Sequence, residues 1–193
     1  MRVIAGEHRG RPLNAVPGKG TRPTTDKVKE SIFNMIGPFF EGGVVLDLYA
    51  GTGSLGIEAL SRGAEKAVFV EMDAKAFSVV KQNVAALRLD ERAEIYKIEA
   101  SRALKVLGKR ALQFDFVFLD PPYAKQKVKE NMEDLQKLGL LAEGAIIVAE
   151  HDAATELPQL VGHCRSVRQA QYGDTGVTIY RYETADSDLE TES

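Results

Sequence analysis

Two short stretches of this 193-residue chain carry residue types and spacings that could do chemistry. The first is Leu46-Asp47-Leu48-Tyr49-Ala50-Gly51-Thr52-Gly53-Ser54-Leu55-Gly56. Gly51, Gly53 and Gly56 form G-x-G-x-x-G just after the apolar run Val44-Val45-Leu46. That context predicts a strand, a tight turn and a helix start suited to a nucleoside-bearing cofactor. Glu71 follows Gly51 by 20 residues at the end of the next apolar run, where a carboxylate can accept both ribose hydroxyls. NAD satisfies this much. Asp47 separates the cofactors, because a carboxylate aimed at the turn repels a pyrophosphate but favours the α-ammonium and sulfonium of S-adenosylmethionine. Asp47 could instead cap the turn's own amides. A weaker feature is Ile98-Glu99-Ala100-Ser101, where a side chain and a backbone amide could read an adenine edge, or where Glu99 is an ordinary surface acid.

The second stretch is Phe116-Val117-Phe118-Leu119-Asp120-Pro121-Pro122-Tyr123. The prolines fix φ and donate no hydrogen bond, so the backbone there only accepts. An ionised Asp120 also only accepts. Tyr123 offers a flat face on which a base can stack. An acceptor-only corner beside an aromatic plate suits an exocyclic amino group of a nucleobase. Such an amino group is a poor nucleophile, since its lone pair is delocalised into the ring. The Asp120 carboxylate and the Pro121 carbonyl can hold its hydrogens and turn the lone pair toward an incoming methyl. Transfer is then an in-line displacement at the sulfonium methyl, driven by positioning and electrostatics. Asp120 can also take the released proton. The competing structural reading is a stiff loop that closes a strand.

The elements that must position these residues are legible as an alternation. Apolar, β-branched runs occur at 44–46, 67–70, 94–98, 116–119 and 145–148, and helical spacing lies between them in Phe77, Val80, Val84, Leu87 and in Val128, Met132, Leu135. This predicts an α/β fold, a Rossmann-like seven-stranded sheet, mostly parallel. Residues 163–170 and 175–182, joined by Tyr172-Gly173-Asp174-Thr175-Gly176, read as an antiparallel hairpin on the sheet edge. In such sheets ligands sit at the carboxyl ends of strands near the switch in strand order, so Asp47 and Asp120 are expected to face one crevice. Ahead of the sheet, residues 1–20 read as a small hairpin. Thr24 or Thr25 then caps a helix with the stripe Val28, Ile32, Met35/Ile36. The expected organisation is an N-terminal extension over 1–40, a main domain over 41–183 and an acidic disordered tail over 184–193.

Composition narrows the class. Hydrophobic residues at 44% and charged residues at 27% are ordinary for a globular chain. The longest apolar run, Ala145 to Ala149, is far short of the roughly 20 residues of a membrane span. The N-terminus lacks a signal-peptide core. A single cysteine, Cys164, excludes an internal disulfide and a multi-cysteine zinc site, and His8, His151 and His163 lack metal-ligand spacing. Cys164 reads as an apolar packer, and Glu150-His151 as a minor candidate at the end of the fifth run. The net charge of −3 conceals a contrast. Glu183 to Ser193 carries five acids and no base, so the remainder is +2, while residues 1–30 alone are +4. That basic segment is either a solvated surface or a footprint for phosphates.

At these residues the chain resembles a known family. Asp120-Pro121-Pro122-Tyr123 is the motif of amino-group methyltransferases of the class I S-adenosylmethionine-dependent superfamily, here with Asp in place of the commoner Asn. Arg2 to Gly6, Arg9 to Leu13, Thr21 to Glu30, Leu46 to Ala59 and Tyr172 to Gly176 are similar to the bacterial 16S rRNA guanine-N2 methyltransferase family, which matches nearly the whole chain except the tail. The resemblance implies that Asp47, Leu48, Tyr49, Ala50, Gly51, Thr52 and Gly53 wrap the methionine part of the cofactor. Glu71 with Met72 takes the ribose, and Glu99 with Ala100 faces the adenine. Asp120 and Tyr123 meet the target guanine, and Arg9, Arg11, Arg22 and Thr24 line the RNA side. It further implies a cytoplasmic monomer that acts on 16S rRNA in an assembling small ribosomal subunit, without membrane or metal. Alternatives are a DNA adenine-N6 methyltransferase, a catalytically silent RNA-binding module on the same fold, and an NAD oxidoreductase.

Overall fold

Helices and strands alternate from Asp26 to Asp152 in the computed structural model, which describes residues 1–18 and 24–184. The chain packs as two compact units, Met1–Ala103 and the remainder from Leu104.

The first unit opens with a fold-back of residues 1–13. An isolated antiparallel bridge joins Arg2 and Pro12, and Val3 N–H donates to the Arg11 carbonyl at 2.9 Å. Val3 and Leu13 are its buried anchors. Helix α1 (Asp26–Ile36) begins at Thr25, whose Oγ1 accepts from Val28 N–H at 3.2 Å, as an N-cap should. Its buried face is Val28, Lys29, Ile32 and Phe33, whereas Met35 and Ile36 are only half-buried. Val28 and Ile32 of the expected stripe are buried, and only its last position, Met35/Ile36, is not, because the helix ends there.

Strands β1 (Val44–Leu48), β2 (Lys66–Val70) and β3 (Ala93–Tyr96) pair in parallel in the order β3-β2-β1. Helices α2 (Ser54–Ser61) and α3 (Ala74–Ala86) connect them. β1 and β2 are buried from their second residue onward, the signature of strands covered on both faces. β3 is half-buried throughout and ends two residues earlier than the apolar pattern suggests. A single 3-10 turn, Asp90–Arg92, precedes it. Helix α4 (Ala100–Lys109) starts in this unit and continues into the next.

The second unit contains β4 (Phe114–Leu119), α5 (Ala124–Lys137), β5 (Leu141–Asp152), β6 (Leu160–Val161), β7 (Cys164–Tyr172) and β8 (Thr175–Tyr182). Its strand order is β4-β5-β8-β7-β6, parallel for β4–β5 and antiparallel from there on. This is the α/β class expected, with antiparallel C-terminal strands. Two details differ. The β7–β8 hairpin lies inside the order, with β8 between β5 and β7. The edge belongs to β6, which brings the strands among the described residues to eight where seven were expected; two residues offer no periodicity to read. The hairpin link is Gly173-Asp174, with Gly173 at φ 60 where a two-residue hairpin turn requires it. The core of this unit is Phe114, Val117, Phe118, Val128, Met132, Leu135, Ile147 and Tyr180. No helix among the described residues is long and apolar enough to cross a membrane. The expected acidic tail lies outside the described residues from 185 on.

Candidate functional site

The turn after β1 is built by residues that tolerate, or are forced into, left-handed backbone. Gly51 and Gly53 sit at φ 61 and 80, at no steric cost. Tyr49 sits at φ 69, which a bulky side chain adopts only where surrounding structure imposes it, most often at a functional site. Gly53 is the N-cap of α2 and has no side chain to satisfy the helix amides. Asp47, 3% exposed, does so from β1, its Oδ2 accepting from Gly56 N–H at 3.0 Å. Asp47 is thus a cap, the structural role considered for it, and at the same time a carboxylate at the turn. Gly56 is needed because a Cβ there would run into the Phe69 ring and lie 3.2 Å from Asp47 Oδ2.

Glu71 leaves β2 and closes the turn from the other side. Its Oε1 accepts from Gly51 N–H and its Oε2 from Asp73 N–H, both at 2.9 Å. A Cβ on Gly51 would meet nothing within 4 Å, so the outer side of the turn is open for a ligand to approach the backbone. Leu48 and Thr52 are buried, Ala50 is half-buried with its N–H on the Val70 carbonyl at 2.9 Å, and Met72 is 63% exposed. Glu99 caps α4, its two oxygens accepting from Ser101 N–H at 3.0 Å and Arg102 N–H at 3.1 Å, and Ala100 is buried beside it. The donor set fits S-adenosylmethionine. Asp47 and Glu71 place carboxylates on the turn, an arrangement suited to a cationic methionine head and a ribose diol and unfavourable to a pyrophosphate.

The second stretch lies where β4 becomes α5. Phe118 and Leu119 are buried, and Asp120 emerges at the strand end. Part of Asp120 meets solvent, yet its carboxyl is crowded by protein, and that desolvation pushes its pKa from 3.8 up to about 6. Pro121 is buried and Pro122 exposed. Tyr123 is 85% exposed and held at φ 58 as the N-cap of α5, its carbonyl accepting from Gln126 N–H at 3.2 Å and Lys127 N–H at 3.1 Å. A large aromatic ring left in water on a strained backbone is the opposite of what packing would choose.

Of the residues expected to meet RNA, Arg9 and Arg11 are exposed on the N-terminal fold-back, and Arg11 Nη2 donates to the Ala86 carbonyl at 3.3 Å. Thr24 is half-buried ahead of α1, and Arg22 lies outside the described residues. His151 is committed to structure, with Nε2 2.8 Å from Thr178 Oγ1 and Nδ1 2.8 Å from the Asp152 carbonyl. Burial pushes the Cys164 thiol up to about 12, as suits a packing residue. No group of three or more potential metal ligands is assembled among the described residues.

Sequence reasoning missed the residues that tie the N-terminal segment to the cofactor turn. Lys29, fully buried, donates from Nζ to the Arg2 carbonyl at 2.6 Å and to Ser54 Oγ at 3.1 Å, and pairs with Glu58 at 3.4 Å. Glu58, also fully buried, accepts from the backbone N–H of Ile4 and Ala5 and from Arg62 Nε at 2.8 Å. Asn83 accepts from Asn14 N–H and donates to the carbonyls of Asn14 and Thr52. The available signal was a lysine inside the apolar stripe of α1 and a glutamate amid Gly56-Ile57-Glu58-Ala59-Leu60.

The chain is similar to several known proteins. The chain is 54% identical to a putative rRNA methyltransferase, YlbH, of Bacillus subtilis (strain 168), covering 94% of this chain and 98% of the relative. It is 33% identical to ribosomal RNA small subunit methyltransferase D of Escherichia coli (strain K12), covering 95% and 90%. Among solved structures, a putative methyltransferase of Escherichia coli, yhhF, superposes with a TM-score of 0.83 at 33% identity over 95% of this chain and 98% of that one. An RNA methyltransferase of Salinibacter ruber in complex with S-adenosyl-L-homocysteine shares the fold, with a TM-score of 0.63 at 19% identity. The family model described as Conserved hypothetical protein 95 matches residues 1–181, and the chain belongs to that family.

Proposed function

We propose that this protein is an S-adenosylmethionine-dependent methyltransferase that methylates the exocyclic N2 of a guanine in small-subunit rRNA. The observation that carries the reading is the Asp120–Tyr123 corner. An acceptor-only strand end leads into an exposed aromatic ring on left-handed backbone, which suits a flipped base bearing an amino group. The names of the Bacillus subtilis and Escherichia coli relatives, both rRNA methyltransferases, support the substrate class.

In this reading S-adenosylmethionine supplies the methyl group as a sulfonium. Asp47 through Gly53 hold its methionine part, Glu71 and Met72 the ribose, and Glu99 with Ala100 the adenine. The Asp120 carboxylate and Pro121 carbonyl accept the two N2 hydrogens of guanine and orient the lone pair, while Tyr123 stacks on the base. The N–C bond forms as the S–C bond breaks, the electron pair stays on sulfur, and the N2 proton leaves to Asp120 or through it to water. Residues 1–40, with Arg9, Arg11, Arg22 and Thr24, form the RNA-facing extension of a catalytic domain over 41–183. The setting is a cytoplasmic monomer acting on an assembling subunit.

The test is transfer of labelled methyl from S-adenosylmethionine to unmodified small-subunit rRNA or particles, followed by nucleoside digestion. N2-methylguanosine is expected. No transfer at all, or N6-methyladenine formed on duplex DNA in preference to RNA, overturns the proposal.

A further inference from the structure

A groove of about 540 Å³ opens on the first unit beside the N-terminal fold-back, lined among others by Glu7, His8, Arg11, Arg88 and Arg92. Its cations are differently committed. Arg92 is fixed by three carbonyls, with Nη2 donating to Leu60 at 3.0 Å and Ala64 at 2.7 Å and Nε to Glu65 at 3.3 Å, which leaves Nη1 to meet Glu7 Oε2 at 3.3 Å. Arg11 uses Nη2 on the Ala86 carbonyl and is otherwise exposed. The exposed Arg88 is held at φ 55, and its guanidinium has no partner among the described residues. His8 is anchored through its backbone N–H to Ser61 Oγ at 3.0 Å, yet its Nε2 is buried without a hydrogen-bond partner. Glu7 Oε1 lies 3.9 Å away, too far to bond.

We propose that this groove binds a phosphodiester group of the RNA backbone, and that the Glu7 carboxylate holds the place an incoming phosphate takes. The proposal rests on the rRNA reading of the protein. Glu7 lies between the imidazole of His8 and the guanidinium of Arg92, where an oxyanion gains most. Its side chain is 63% exposed, so it can swing into water at little cost. A phosphodiester has two charged non-bridging oxygens, as a carboxylate does, but it is not tethered to the Glu7 backbone, so its oxygens can be shared among Nε2 of His8, Nη1 of Arg92 and the unengaged Arg88. Three arginines face one glutamate in the groove, and the balance rises further once that glutamate leaves. No phenylalanine, tyrosine or tryptophan lines the groove, and its cluster of arginines suits the charged backbone, which positions an RNA without reading it.

The test uses the full chain and fluorescence anisotropy with a labelled single-stranded segment of unmodified small-subunit rRNA, titrated at several salt concentrations. Arg88→Gln is expected to weaken binding about tenfold and to flatten the slope of log affinity against log salt by about 0.7, the loss of one phosphate contact. Glu7→Gln is expected to tighten binding about threefold, a gain that loss of a merely structural ion pair does not produce. Both variants should keep the melting midpoint of the parent. Unchanged affinity and slope in both variants overturn the groove while leaving methyl transfer by the parent intact. The expected changes in a protein that methylates no RNA support the groove and overturn the proposed activity. Equal changes when polyglutamate replaces RNA mark an acidic-peptide groove and overturn the phosphodiester assignment.

Discussion

A carboxyl titrating near pH 6 at the end of a strand is useful to an enzyme that must accept hydrogen bonds from an amino group. Asp120 is protonated, and able to donate, below that point; above it, the group is the pure acceptor the mechanism needs. Methyl transfer should therefore climb about tenfold per pH unit up to roughly pH 6 and level off above it, as read from kcat/KM against pH. Folding stability runs the other way. Because the folded pKa is raised above the ordinary value, the folded state binds more protons between the two, and this group's contribution is lost as pH rises through about 6. Asp120→Ala should lower transfer by roughly 10²- to 10⁴-fold while leaving the protein at least as stable at neutral pH. A variant that loses stability and keeps its rate would make Asp120 a strand-closing residue only. Gly56 poses a purely steric question at the same scale. A methyl group there enters the buried Phe69 ring, so Gly56→Ala should cost about 1–3 kcal/mol, measurable in denaturant unfolding.

At the scale of elements, α1 and α2 are joined by buried charge rather than by apolar packing alone. Burial pulls the Lys29 ammonium below its usual range, against the raising influence of Glu58 and Asp26. Glu58 has compensating partners on every side, since Ile4 and Ala5 N–H, Lys29 and Arg62 all converge on one carboxylate, and Arg62 also covers the Phe33 ring at 4.9 Å. Removing one member strands the others in a buried site. Lys29→Ala should destabilise by about 3–5 kcal/mol. At about 2–4 °C per kcal/mol for a chain of this size, the melting midpoint should fall by at least several degrees. Lys29→Ala melting at the parent temperature would show the pair to be dispensable. This network was poorly legible beforehand because helical periodicity marks which face is inward and says nothing about charged residues on that face. The helix starts were legible where the cap is local, as at Thr25, and not where it comes from elsewhere, as with Asp47 capping α2.

For the molecule as a whole, every residue assigned to the cofactor falls within Met1–Ala103, and the four residues of the acceptor corner fall in the unit that follows. The N-terminal segment packs in the same unit as the cofactor turn. Ser61 receives it, with Glu7 and His8 N–H donating to Ser61 and Gly6 lying so close that a Cβ would overlap the Ser61 carbonyl. Through Lys29–Ser54 and Asn83–Thr52, the segment expected to face RNA is hydrogen-bonded to the loop expected to hold the methyl donor. Asn83→Ala should thus weaken S-adenosylmethionine binding as well as stability. Loss of the bond to the Thr52 carbonyl, at about 1 kcal/mol felt at the turn, corresponds to an affinity loss of roughly fivefold. Isothermal titration would show it, and unchanged affinity would confine Asn83 to holding Asn14.

Local rules let the sequence determine much by itself. Gly51-Thr52-Gly53 must turn because few other residues accept φ > 0, and alternating apolar runs must become strands and helices because their periods differ. Asp120-Pro121-Pro122-Tyr123 must present acceptors because proline has no N–H to give. Tertiary structure alone decided that Glu71 closes on Gly51 N–H, that Asp47 serves α2, and that Lys29, Glu58 and Asn83 bind the N-terminal segment to the turn. It also decided that Glu7, His8, Arg11, Arg88 and Arg92 share a groove. Each of these depends on partners up to 85 residues away, as with Arg92 and Glu7, and a hydrogen bond between distant residues leaves no period or local motif in the chain.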